Sequence, residues 1–150
     1  MQRAPDFFIL GQPKAGTTAL HATLRRHPQI FMSALKEPHY FARELAYEPP
    51  PADLPTTLDH YLSLFASARP GELTGDASTL YLWSRTVAHQ IARLRPDARI
   101  IVILRGPVSF LYSLHLQLVN TSVETEHDLR TALALEEMRR NGRHLPHNGP

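Results

Sequence analysis

The sequence predicts an α/β fold: a central parallel sheet flanked by helices in three layers. Three observations carry this expectation. Strand-like apolar runs alternate with helical stretches along the chain. Ile100–Leu104 is an unbroken apolar run, the pattern of a strand buried on both faces of a parallel sheet. Two strand-like segments, Phe7–Leu10 and Arg99–Leu104, each lead into a loop and then a helix start. Folds of this class bind phosphate there, beyond the C-terminal ends of the strands.

The elements follow in order. Phe7–Leu10 is apolar and aromatic and stops at Gly11, so it reads as a buried strand. A helix is expected over about Gly16–Arg26, opened by Thr17 and Thr18. Glu48–Pro55 is a proline-rich loop, read as a surface excursion and not as a domain boundary. Helices are expected over Leu58–Ser67 and Ser84–Arg95, with a strand around Glu72–Gly75 between them. Pro107 suits the first turn of a helix running to Val119. On that helix Val108, Leu111, Tyr112, Leu116 and Val119 form the apolar stripe. A last helix spans Asp128–Arg140. Residues 1–140 are thus expected to form one domain, and residues 141–150, which lack periodicity, a mobile tail.

Composition narrows the function classes. A chain of 150 residues with 43% hydrophobic and 20% charged residues has the makings of a sizeable core. A net charge of +2, from 16 basic and 14 acidic residues, is too small a balance to argue for nucleic acid or a membrane surface, and no nucleic-acid partner is expected. The chain has no cysteine, which excludes disulfides and thiolate chemistry. No apolar run is long enough for a signal-peptide core or a membrane span, so the expected location is cytoplasmic.

The chemistry starts at Gly11-Gln12-Pro13-Lys14-Ala15-Gly16-Thr17-Thr18. A glycine-bracketed loop between strand and helix turns backbone N–H groups inward and adds the positive end of the helix, which suits a phosphate. The glycine spacing fits the nucleotide loop G-x-x-x-x-G-K-[ST], but Thr17 occupies the lysine position. The loop's cation is Lys14, inside the loop, which points to a different phosphate-containing donor.

Four segments together carry a family resemblance. Pro13–Thr18 resembles the PK-x-GTT loop that binds the 5′-phosphosulfate in sulfotransferases using 3′-phosphoadenosine 5′-phosphosulfate (PAPS). Lys36-Glu37-Pro38-His39-Tyr40-Phe41 resembles the KEPHFF-like stretch of the heparan-type and bacterial branches. Gly75–Tyr81 resembles their GE-x-[ST]-P-x-Y segment. Arg99–Val108 with Ser113 resembles the 3′-phosphate segment, with serine eight residues after arginine. The matches lie in family order over roughly residues 5–120.

The resemblance implies roles residue by residue. Lys14 would stabilise the leaving oxygen, and Ala15, Gly16, Thr17 and Thr18 would hold the 5′-phosphate. Arg105 and Ser113 would hold the 3′-phosphate, a task suited to a guanidinium fork. Glu37 would be the general base, with His39 supporting it or touching the acceptor. Asp76 and Ser78 are expected to line the cleft. Tyr40, Phe41, Tyr81 and Trp83 are expected in core or cleft wall, and His144-x-x-His147 at the surface. PAPS would be the sulfuryl donor and no metal is expected. The acceptor would be a hydroxyl or amine of a carbohydrate or small molecule. The resemblance also implies an incomplete domain, since the family's C-terminal strand and basic loop have no counterpart. A non-catalytic nucleotide-binding fragment and a kinase-like nucleotide triphosphate protein stay open as alternatives.

Overall fold

The computed structural model describes residues 3–45 and 51–146. The chain divides into two compact units, Met1–Leu104 and Arg105–Pro150. The first holds β1 (Phe7–Gly11), α1 (Thr17–Leu24), β2 (Ile30–Met32), α2 (Leu58–Ser63), β3 (Leu73–Ala77), α3 (Val87–Leu94) and β4 (Arg99–Ile103). Short 3₁₀ turns occupy Arg43–Leu45 and Thr79–Leu82. The sheet order is β2-β3-β1-β4, and every neighbouring pair is parallel. Phe7 is in register with Gly75 on one side and Arg99 on the other.

The alternation of side chains along β1 builds the layers. Phe8 and Leu10 face one side, where Phe8 packs in a cluster with Phe41, Tyr61, Phe65, Tyr81, Val87 and Ile91. Tyr61 comes from α2, and Val87 and Ile91 come from α3. Phe7 and Ile9 face the other side with Met32 and Ala77, and Leu20 and Leu24 of α1 cover them. Each fully buried side chain of this size contributes about 1.5–3 kcal/mol. The expected α/β fold, a central parallel sheet flanked by helices, is the one observed. Gly75 permits the close packing: a Cβ there would lie 2.3 Å from the tip of the Phe7 ring.

Asp6 ties the opposite end of the sheet. Its carboxylate accepts bonds from Arg3 (2.7 Å), Arg95 (2.8 Å) and the backbone N–H of Thr74 (2.8 Å). Burial pushes this carboxyl up, but Thr74 and Arg3 bring it below its ordinary range.

Two expectations about burial are corrected. Among the described residues β4 is an edge strand paired only with β1, and Ile100 and Val102 are 49% and 48% exposed. Its apolar run therefore does not mark burial on both faces. On the helix after β4 the expected stripe is exposed as well except at Val119, with Val108 at 81% and Tyr112 at 56%. The residues covered within its own unit instead include Leu114, His115 and Leu118, with His115 buried. β2 has only three residues and has no counterpart among the expected strands.

The second unit contains α4 (Pro107–Asn120), α5 (Leu129–Ala134) and α6 (Glu136–Arg140). The single helix expected over Asp128–Arg140 is thus two, meeting at Leu135. Asp128 caps α5 by accepting the Thr131 N–H at 2.7 Å. The ring Nε2 of His115 lies 3.1 Å from the His127 carbonyl. Glu124 accepts both arms of Arg139, at 2.5 and 3.0 Å, which holds its carboxyl at about 2. Residues 48–50 of the proline-rich loop and 147–150 of the expected tail lie outside the described residues. Among the described residues no helix is long and apolar enough to cross a membrane.

Gly75→Ala should destabilise the first unit by about 1–3 kcal/mol, because the added methyl overpacks Phe7 and Met32. Chemical denaturation checks this, and an unchanged midpoint would contradict the packing of Phe7 over Gly75.

Candidate functional site

The loop after β1 is shaped by two constraints. Gly11 lies so close to β4 that a Cβ would sit 2.6 Å from the Ile103 carbonyl oxygen. The Gln12 N–H donates to that same oxygen (3.3 Å), and the Ala15 N–H donates to the Gln12 carbonyl (3.2 Å). The chain then passes through left-handed conformations at Lys14 (φ 63°) and Gly16 (φ 100°). Glycine adopts this at no cost, whereas lysine incurs about 1–2 kcal/mol. Lys14 is exposed.

The start of α1 suits an anion. Gly16 caps it without a side-chain bond. The N–H groups of Thr17, Thr18 and Ala19 have no acceptor within the helix. Together with the helix dipole they form a phosphate cradle. The two threonines differ: Thr17 is buried against Gly11, while Thr18 is exposed. The residues present therefore fit a phosphate-bearing donor. On the far side of α1, His21 is buried with Nε2 3.1 Å from the Ser33 carbonyl. Burial lowers its pKa, and Lys36 and Arg25 lower it further. A neutral ring thus links α1 to the segment after β2.

Glu37 and His39 stand at the same edge of the sheet. The Glu37 N–H donates to the Ala77 carbonyl at the end of β3 (3.0 Å), and the Ser78 N–H donates to Ile9 of β1 (3.1 Å). β1 and β3 are parallel neighbours, so the loop and the Glu37 segment both lie beyond their C-terminal ends. Glu37 and His39 both have left-handed backbones, with φ of 61° and 50°.

Three side chains converge on the Glu37 carboxylate. Lys36 donates to Oε1. Thr79 donates its hydroxyl to Oε2 at 2.6 Å, and His39 Nε2 lies 3.2 Å from the same oxygen. Burial raises the Glu37 pKa, but the bonds from His39, Lys36 and Thr79 outweigh it and bring it to about 2. His39 Nδ1 is buried and has no partner. That matches a ring protonated at Nε2, which donates to Glu37 and leaves Nδ1 as a bare lone pair; the tautomer is assigned from this network.

Two residues expected to line the cleft are buried instead. Asp76 and Ser78 do not line the cleft; they are fully buried beneath the Glu37 turn. Phe41 and Tyr81 are core, and Tyr40 stacks on Tyr61 with ring centroids 4.7 Å apart. Trp83 is 56% exposed. Arg105 and Ser113 belong to the second unit. Arg105 is exposed just before α4, and Ser113 is half-buried two turns into it. Gly106 caps that helix, and Pro107 occupies its first turn, as the sequence leads one to expect. His144 is exposed, and His147 lies outside the described residues.

Thr79 was missed by sequence reasoning. It has no motif of its own, and its bond to Glu37 spans 42 residues. The only signal was its place beside Ser78 in the Gly75–Tyr81 segment.

A depressed carboxyl stabilises the fold above its unfolded pKa and loses that contribution as pH falls through the folded value. Glu37 should therefore contribute stability that is complete above about pH 4.5 and lost toward about pH 2. Glu37→Gln should flatten the stability profile across that window, leaving the Glu124 contribution in place. Denaturation midpoints across the window test this; an unchanged slope would mean that Glu37 is not held by its three partners.

Comparisons with known proteins place the chain. No protein-family profile matches it. Carbohydrate sulfotransferase 15 of Homo sapiens is 32% identical over 89% of this chain and 31% of its own length. Heparan sulfate glucosamine 3-O-sulfotransferase 6 of Homo sapiens is 33% identical over 72% of this chain and 29% of its own length. The crystal structure of a sulfotransferase from Alicyclobacillus acidocaldarius superposes with a TM-score of 0.79 at 34% identity. That match covers 96% of this chain and 61% of the other. The chain spans about a third of the length of the curated relatives named above. With its four-stranded parallel sheet and its loop after β1, the chain carries a sulfotransferase-family domain, matched over part of its relatives' length.

Proposed function

We propose that this domain transfers a sulfuryl group from PAPS to a hydroxyl or amine of a carbohydrate or small-molecule acceptor. The observation that carries the reading is the shared edge of β1 and β3. It sets a phosphate-shaped loop with one exposed lysine beside a half-buried carboxylate. The names of the relatives favour a carbohydrate.

In this reading the backbone N–H groups of Ala15–Thr18 hold the 5′-phosphate and Lys14 neutralises charge on the bridging oxygen. Arg105 and Ser113 take the 3′-phosphate. The acceptor oxygen or nitrogen bonds to sulfur as the bond from sulfur to the phosphate oxygen breaks, releasing 3′-phosphoadenosine 5′-phosphate. The acceptor proton passes to Glu37, which the Thr79 and His39 bonds orient. Lys14 and the α1 N-terminus supply the positive field, so no metal enters the scheme.

Calorimetry with 3′-phosphoadenosine 5′-phosphate, ADP and ATP–Mg²⁺ tests the donor. The 3′-phosphate compound should bind best, and Arg105→Ala should remove most of its advantage over ADP. Equal affinities in the parent would overturn the assignment, and preference for ATP–Mg²⁺ would favour a kinase-like protein. Lys14→Ala should lower turnover by about 10²–10³, the usual loss on removing one preorganised charge contact. EDTA should leave the parent rate unchanged; a loss that Mg²⁺ restores would refute the metal-free scheme.

A further inference from the structure

Asp76 is entirely buried on β3, at 1% exposure, yet no step of the proposed reaction uses it. Its carboxyl accepts three hydroxyls. Tyr61 and Tyr81 donate to Oδ2 at 2.7 and 3.0 Å, and Ser78 donates to Oδ1 at 2.9 Å. Burial raises its pKa against those three donors. An isolated buried carboxylate would be costly, so three donors on two oxygens mark a built site.

The direction of those bonds matters. A serine hydroxyl has one proton and two acceptor positions. With its proton committed to Asp76, Ser78 Oγ is left to accept, and the His39 N–H lies 3.3 Å from it. Tyr81 repeats the pattern: its hydroxyl proton goes to Asp76, and the Phe41 N–H reaches its oxygen at 3.5 Å. The two oxygens of Asp76 thus hold the two ends of the His39–Phe41 turn, one through each hydroxyl. That turn starts at the left-handed His39, two residues after the left-handed Glu37; each resists its conformation by about 1–2 kcal/mol and needs external support. It also delivers the His39 ring to Glu37 Oε2.

We infer that Asp76 positions the Glu37 carboxylate, acting through Ser78 and Tyr81 on the backbone of the turn that carries His39. Asp76 touches no reacting atom and is a positioning residue. The effect on turnover rests on Glu37 being the base; the effect on the Glu37 carboxyl does not.

Ser78→Ala tests this with the least disturbance, since it removes one hydroxyl and no packing volume beyond it. Asp76→Asn is the companion variant, and Phe65→Leu is a control that weakens the same core where it packs on the Tyr61 ring while removing no hydrogen-bonding group of the network. The first readout is the Glu37 side-chain titration followed by ¹³C NMR. Ser78→Ala and Asp76→Asn should both raise the Glu37 pKa from about 2 toward its ordinary 4.5, because Lys36, His39 and Thr79 no longer meet a fixed carboxylate. The second readout is kinetic: kcat should fall about tenfold with KM for the acceptor unchanged. Phe65→Leu should lower the melting temperature and move neither quantity. A Glu37 pKa that stays near 2 in both variants, or that moves equally in Phe65→Leu, would overturn the inference. A raised pKa with unchanged kcat would support the positioning and refute Glu37 as the base. Should Asp76→Asn fail to fold, Ser78→Ala alone decides.

Discussion

The central place of β1 governs the rest of the first unit. It is paired on both edges, and its alternating side chains enter a core on each face. A strand held this way cannot slip by one residue, since a slip would exchange Phe8 with Phe7 and Ile9 and unpack both cores. The register in turn fixes where β1 ends. Gly11 must lie against the Ile103 carbonyl, and the Ser78 N–H must find Ile9. The phosphate-shaped loop and the Glu37 turn are therefore placed by the sheet, and neither depends on its own local propensity.

Propensity works against both segments. Lys14, Glu37 and His39 are non-glycine residues in left-handed conformations. Such residues persist only where surrounding structure over-determines them. At the loop, short backbone bonds at Gln12 and Ala15 do this. At the turn, the Ala77 carbonyl, Ser78 and Tyr81 do it from below. Strain at both places, opposite a helix N-terminus on one side and a carboxylate on the other, is the pattern of a preorganised site.

This division explains what the sequence made legible. Phe7–Leu10 and the glycines around Lys14 are local signals: a strand, a turn and a helix start, each encoded by adjacent residues. The KEPHYF-like stretch could be recognised by resemblance, but its conformation could not, because its supports lie about 40 residues away. Thr79 was invisible for the same reason. Ile100–Leu104 misled because an apolar run reports what a strand is suited to bury, not what covers it; in this sheet β4 has one neighbour. The stripe assigned to α4 failed similarly. Leu114, His115 and Leu118 line one groove with residues of α5 and α6, and a buried histidine with a carbonyl partner does not register as apolar. The break at Leu135 left no proline or glycine to announce it.

The low pKa of Glu37 bears on what a base must do in the proposed transfer. General-base efficiency follows basicity, and a carboxyl held at about 2 is a weak base. Sulfuryl transfer, however, resembles phosphoryl transfer, in which bond breaking runs ahead of bond making in most analyses and catalysis is chiefly positioning and electrostatics. Under that demand the acceptor needs an oriented anion that directs its hydrogen, more than a strong base that removes it early. Lys36, Thr79 and His39 exchange basicity for a carboxylate that is ionised and fixed in direction at any working pH. The strain in the turn and the buried Asp76 beneath it serve that same end. An anion aimed by three partners gains from rigid support what it loses in proton affinity.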